Sequence, residues 1–462
     1  MNILSSEMDG ASKCACPLCQ TSADSDAGYF ARAFGEPRLF AATGEAMTDA
    51  LGFCPRHGAS LLAQERWSEG VVHVLRGAIP RLALMLNEDY LREPHVQQAL
   101  FGADSACPAC TYANRAVGRQ AASLARQWSG AEDQAGLGLT GMLCFGHFQM
   151  LAGNLAPELR LAALAGDVDH LQQTARNIRA LLRPAREADP WRRDDVAVLD
   201  CALDLIAGRP VFESLSTNGM LADAMSECPT LVEAIVLPHV CPLCVETERA
   251  RRRWLLNVQR AADFDQDAWL FFPTCPEHVR TVALSGTPGL TAAVVARALS
   301  VALRYVRSQI HALVRTAELR EEEARIKAEG PEVWAAHKRK RTRQKTEGQK
   351  IPVPRLVKCP GCERIEIATE HATGGLLDLL HEKKHRDAFG RGYGLCLKHF
   401  ARTYRIAPRG MIRSLLAKDQ QRRLAGLVAH LGEMAEGMPV REVPLDGDAL
   451  WRKALRRFCG FA

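Results

Sequence analysis

Apolar residues along this chain recur mostly every three or four positions, the period that lays one apolar stripe along a helix and does not suit the side-to-side alternation of a strand. Trp254, Leu255, Leu256 and Val258 sit among charged residues between Val245 and Ala262, and Ile365, Leu376, Leu377, Leu379 and Leu380 recur among Glu, His and Lys. Shorter stretches of the same kind are Ala59, Leu61, Leu62; Phe148, Met150, Leu151; Val279, Val282, Leu284; and Phe400, Tyr404, Ile406. The pattern also predicts helices over 196–206 and 212–225 and one long helix over about 290–328. It predicts an all-α protein.

What punctuates these stretches is a repeated motif. Four times a Cys-Pro-x-Cys pair is followed, after 30 to 34 residues, by a Cys-x-x-His pair. Two intervening residues let both side chains of a pair turn onto one ion, and three thiolates with one imidazole complete a tetrahedral zinc shell. Reading each pair with its nearest follower predicts four zinc sites, about four Zn2+ per chain: Cys16, Cys19, Cys54 and His57; Cys107, Cys110, Cys144 and His147; Cys241, Cys244, Cys275 and His278; Cys359, Cys362, Cys396 and His399.

The gap is compatible with that pairing. A helix of about 18 residues carries the chain roughly 27 Å from the metal, and the remaining dozen residues, if extended, bring it back. Both halves of each site are then expected at helix starts, where the positive ends of two helix dipoles face a centre carrying about one negative charge. The prolines that follow the first cysteine, Pro17, Pro108, Pro242 and Pro360, stiffen each turn and suit a first helical position.

Composition narrows the setting. At 462 residues and 47% hydrophobic the chain can bury sizeable cores. Twelve of its sixteen cysteines fall in the quartets, which is metal usage and points to a reducing, cytoplasmic setting. The start, Met1 to Lys13, lacks a cationic-then-apolar export signal, and Arg297 interrupts the apolar run after Thr287, so neither export nor a membrane anchor is expected. A net charge of +6 is too small for the whole-chain field to argue for nucleic acid.

Two tandem halves are expected, 1–183 with the first two modules and 195–462 with the other two. A linker over 184–194 separates them, and a basic insert near 329–355 precedes the fourth module. That insert holds Lys338, Arg339, Lys340, Arg341, Arg343 and Lys345, which reads as a solvated linker or as a contact for an acidic partner or nucleic acid. Arg251 to Arg253 beside Trp254 read as the wet side of an amphipathic helix.

The motif Cys359-Pro-Gly-Cys362-Glu-Arg-Ile-Glu, with Asp387-Ala-Phe-Gly-Arg-Gly-Tyr-Gly-Leu-Cys396-Leu-Lys-His399-Phe after it, resembles an uncharacterised bacterial and archaeal family of small proteins. Members carry two such modules in tandem. Cys16-Pro-Leu-Cys19, Leu51-Gly-Phe-Cys54-Pro-Arg-His57 and the closing stretch from Asp446 to Gly460 are similar to it as well. The resemblance implies the metal ligands and the pairing of modules, here as a doubled version, and implies no reaction.

The remaining chemistry is sparse. The chain has no phosphate-binding Gly-rich loop ending in Lys-Ser/Thr, no Gly-x-Ser-x-Gly elbow and no dinucleotide fingerprint. A full shell of protein ligands leaves no open metal position for hydrolysis. The expectation is a non-enzymatic helical scaffold that binds another macromolecule, a protein in the first instance. Nucleic-acid binding through the basic segments, or an iron–sulfur or thiol redox role, are the alternatives. Outside the quartets lie Cys14, Cys201, Cys228 and Cys459; Cys14, two residues before a ligand, reads as a free thiol, with an alternative ligand or redox partner as the other reading, and Cys201 as core, while His381 and His385 are expected as exposed residues four apart on one helix.

Overall fold

The computed structural model describes residues 16–87, 89–94, 96–97, 106–129, 143–182, 193–207, 230–264, 273, 275–285, 287–335, 358–435 and 450–459. Among these residues there is no strand, and the fold is all-α. In chain order the helices are α1 (Pro17–Gly35), α2 (Phe40–Asp49), α3 (Pro55–Leu62), α4 (Ser68–Met85), α5 (Pro108–Ser129), α6 (Phe145–Gly153), α7 (Pro157–Leu181), α8 (Arg193–Ala207), α9 (Leu231–Ala234) and α10 (Pro242–Phe264). They continue with α11 (Pro276–Ser285), α12 (Pro288–Ala328), α13 (Pro360–Leu379), α14 (Lys383–Arg391), α15 (Leu397–Ile406), α16 (Met411–Ala435) and α17 (Leu450–Cys459).

Helix starts follow the motif. A proline opens α1, α5, α10 and α13, and α3, α6, α11 and α15 each begin one residue after the cysteine of a Cys-x-x-His pair. Cys54, Cys144 and Cys396 have the extended backbone of an N-cap, with ψ of 160°, 156° and 160°. Their carbonyls accept the first helical bonds, from Gly58, Phe148 and Phe400 N–H, at 2.8 to 2.9 Å. Both parts of the metal motif therefore stand at helix N-termini, as the sequence predicts.

The chain forms two compact units, and they do not follow the expected halves. The first comprises 1–19, 118–209 and 257–362; the second comprises 20–117, 210–256 and 363–462. Each draws on both sides of the 184–194 boundary, most of which lies outside the described residues, as do the predicted helix over 212–225 and the basic cluster Lys338 to Lys345.

In the first unit α12 is the spine. Thr287 caps it, its Oγ1 accepting the Leu290 N–H at 3.3 Å, and Pro288 occupies the first turn. α7, α8 and α11 pack along its N-terminal half, burying Leu290, Val294, Val295, Leu299 and Val306. By length and composition a stretch of α12 could cross a membrane despite Arg297, and 56% of that stretch is buried inside the protein.

In the second unit α4 takes that role, with α2, α16 and α17 packed on it. Its Gly70 permits the closest approach: a Cβ there would lie 1.8 Å from the Phe34 carbonyl oxygen of α1. Phe30, Phe34 and Phe53 meet at ring-centroid distances of 6.0 to 6.1 Å and form the wall against which one metal-binding histidine is set.

Candidate metal centres

The sixteen quartet residues come together in four groups, but not in the pairing expected from their order. The groups are Cys16, Cys19, Cys144 and His147; Cys54, His57, Cys107 and Cys110; Cys241, Cys244, Cys396 and His399; and Cys275, His278, Cys359 and Cys362. Within each half the pairing is nested. The first Cys-Pro-x-Cys takes the last Cys-x-x-His, and the inner two pairs take each other. The first unit holds the outer site of the first half and the inner site of the second; the second unit holds the other two.

The physical reason lies in the gap. α1 alone, 19 residues long, rises about 28 Å. The residues that were to return extended are instead helical, a 3-10 turn over Pro37–Leu39 and then α2, so no extended segment brings Cys54 back to Cys16. Cys54 and His57 close instead with Cys107 and Cys110.

In every group the imidazole presents Nδ1 to the sulfurs. Distances from Nδ1 to the three Sγ atoms are 3.4, 3.4 and 3.3 Å for His147, 3.2, 3.4 and 3.3 Å for His57, 3.5, 3.3 and 3.3 Å for His399, and 3.2, 3.7 and 3.3 Å for His278. Sulfur pairs stand at 3.7 Å (Cys19–Cys144), 3.6 Å (Cys54–Cys110), 3.8 Å (Cys244–Cys396) and 3.6 Å (Cys275–Cys362). A tetrahedron with metal–sulfur bonds near 2.3 Å and a metal–nitrogen bond near 2.0 Å has edges of about 3.8 Å between sulfurs and about 3.5 Å from sulfur to nitrogen. The donor set fits one four-coordinate ion in each group.

Electrostatics point the same way. Hydrogen bonds among the sulfurs pull the Cys16, Cys107 and Cys396 thiols well down, while the same contacts push Cys144, Cys110 and Cys244 well up. Three sulfurs this close cannot all ionise by themselves, and a divalent cation removes that conflict. Burial alone would lower the imidazoles. Yet contacts with Asp26 and the sulfurs bring His57 to about 11, and contacts with the sulfurs bring His147 to about 9 and His399 to about 10. The potential at Nδ1 favours positive charge.

Residues outside the motif complete three of the sites, and their sequence separation hid them. Asp26, buried two turns into α1, lies with Oδ1 3.0 Å from His57 Nε2 and with Oδ2 3.3 Å from Arg56 Nη2. A carboxylate behind a ligating histidine fixes the ring and strengthens it as a donor. Arg457 of α17 donates to the carbonyls of Leu395 (2.9 Å) and Tyr393 (2.7 Å), just ahead of Cys396, and stacks 3.9 Å from the Tyr393 ring centroid. Arg423 donates to the Gly392 and Phe389 carbonyls at 2.6 and 2.8 Å and pairs with Asp419 at 2.7 Å. Arg280, 3.9 Å from Asp204, places a partly buried cation in the field of Cys19 and Cys144.

Cover differs among the groups. Every described cysteine ligand is buried or half-buried except Cys362, which is exposed. Cys201, expected in the core, is exposed in α8. It borders a cleft of about 350 Å³ together with Leu143, Cys144, His170, Asn177 and Asp204. Cys14 and Cys228 are outside the described residues. His381 and His385 do not share a helix, because α13 ends at Leu379 and α14 begins at Lys383. Arg251 and Arg252 pair with Glu248 at 3.2 Å while Trp254 is buried, the amphipathic arrangement expected of α10.

No family model, curated protein or solved structure matches the chain.

Proposed function

We propose that the protein is a non-enzymatic zinc protein, with four structural Zn2+ ions bracing a helical scaffold that presents a surface to another macromolecule, a protein in the first instance. The observation that carries this reading is closure: each group supplies four protein donors at tetrahedral spacing, which leaves no position for substrate or water. Zinc is favoured over an iron–sulfur cluster because all four donor atoms lie within 4.8 Å of one another. That is room for one ion, whereas a cluster spreads its ligands around several irons and sulfides. Reduced thiols at twelve positions suit a cytoplasmic setting.

Nucleic-acid binding is the weaker reading. Two of the three arginines in the cluster after Glu248 are already paired.

The test is elemental analysis of protein purified without added metal, together with its visible spectrum. About four zincs per chain and a colourless solution support the proposal. Iron with acid-labile sulfide, or a count well below four, overturns it.

A further inference from the structure

We infer that the group of Cys275, His278, Cys359 and Cys362 is an exchange site, one that takes up and gives up its ion in the folded protein while the other three hold theirs. The inference rests on the zinc reading above and adds a division of labour within it.

The four groups share donor set, spacing and helix starts, so intrinsic metal preference does not separate them. Access does. Cys241, Cys244 and Cys396 are 0 to 2% exposed, and Cys16, Cys19 and Cys144 are 4 to 7% exposed. The fourth group alone has an exposed ligand, Cys362, and a half-buried one, Cys275. In the turn of α13 that follows Cys362, Glu363, Arg364 and Glu366 are exposed and Ile367 is 45% exposed. In the corresponding turn of α10, Val245 is fully buried behind Cys244.

A closed zinc–thiolate shell exchanges when an incoming donor forms a bond to the metal as a protein sulfur leaves. The open edge at Cys362 admits such a donor: its sulfur or nitrogen bonds the ion, the bond to Cys362 Sγ breaks, and any proton on the incoming thiol passes to the departing thiolate. No electron is transferred. The acceptor class is a small thiol or chelating ligand, or a metal-binding protein presenting one. The half-buried Cys54 and Cys110 offer the next-best edge on exposure alone, but their histidine is braced by Asp26.

The test uses the full chain as purified, with its metal counted beforehand, mixed under native conditions with excess 4-(2-pyridylazo)resorcinol. The expected trace is one equivalent released in a fast phase and three released at least tenfold more slowly. Cys362→Ser is expected to contain one metal fewer and to lack the fast phase. Cys362→His, which restores four donors, is expected to regain the ion and release it at a changed rate, with helical circular dichroism preserved in both. Release of all four ions at a single rate overturns the inference and leaves the zinc reading intact, as does a fast equivalent that survives in Cys362→Ser. Fewer than one bound metal per chain overturns both.

Discussion

The site of Cys396 and the site of Cys362 are built from the same parts and kept very differently. Around the first, Arg423 and Arg457 hold the carbonyls of Phe389, Gly392, Tyr393 and Leu395, so the segment leading to Cys396 is tied at four places before it reaches the metal. Asp419 pairs with both Arg422 and Arg423. In the group that holds Cys362, by contrast, a ligand lies exposed, and elsewhere in its unit a carboxylate, Asp167, is buried. Ligand identity decides what a site binds. The cover and the treatment of buried charge around it decide how firmly.

The largest test of that contrast is to remove one sulfur from each site. Cys396→Ser is expected to lose one metal and most of the stability of its unit, out of the roughly 10–16 kcal/mol that a structural zinc of this kind supplies. Cys362→Ser should also lose one metal but lower the melting temperature far less, since its side of the site is already open to water. Equal melting temperatures for the two variants would erase the distinction.

A second test removes cover and leaves the ligands alone. Arg457→Ala strips two buried carbonyls of a charged donor and is expected to cost about 3 kcal/mol in chemical denaturation, with the metal count unchanged. Asp167 gives a pH signature of the same order. Burial raises its carboxyl from 3.8 to about 7, so the folded state binds a proton more tightly than the unfolded chain. Stability from this group is therefore greatest at low pH and falls as pH rises from about 4 to about 7. Asp167→Asn should flatten that part of the profile and be the more stable form at pH 8; an unaltered slope would refute the assignment.

The smallest expected effect is at Asp26. Asp26→Asn should weaken metal binding by the group of Cys54, His57, Cys107 and Cys110 about 10–100-fold, read by chelator competition, without affecting release from the Cys362 site.

Helical class, both helix starts of each module and the sixteen residues that gather in the four groups were legible, because local period and two-residue spacers are local facts. The pairing was not. Sequence order favours the nearest follower, and nothing in 30 to 34 residues announces whether they turn back; α2 decides it by being helical where an extended return was needed. The compact units escaped for a related reason, since α4 and α16 carry no local mark that they pack together. Asp26 and Arg457 act across 31 and 62 to 64 positions, respectively, and neither is itself a motif residue.

Nested pairing also sets a timetable for biosynthesis. Cys16 and His147 are 131 positions apart and Cys241 and His399 are 158 apart, whereas the inner sites close over 50 to 56 and 81 to 87. As the polypeptide leaves the ribosome, Cys16 and Cys19 emerge first yet wait until Cys144 and His147 are made, and the nearest complement they meet, Cys54 and His57, is the wrong one. Until Cys107 and Cys110 are synthesised, an early ion can settle in that non-native quartet. Completing the native arrangement then requires the chain to surrender it.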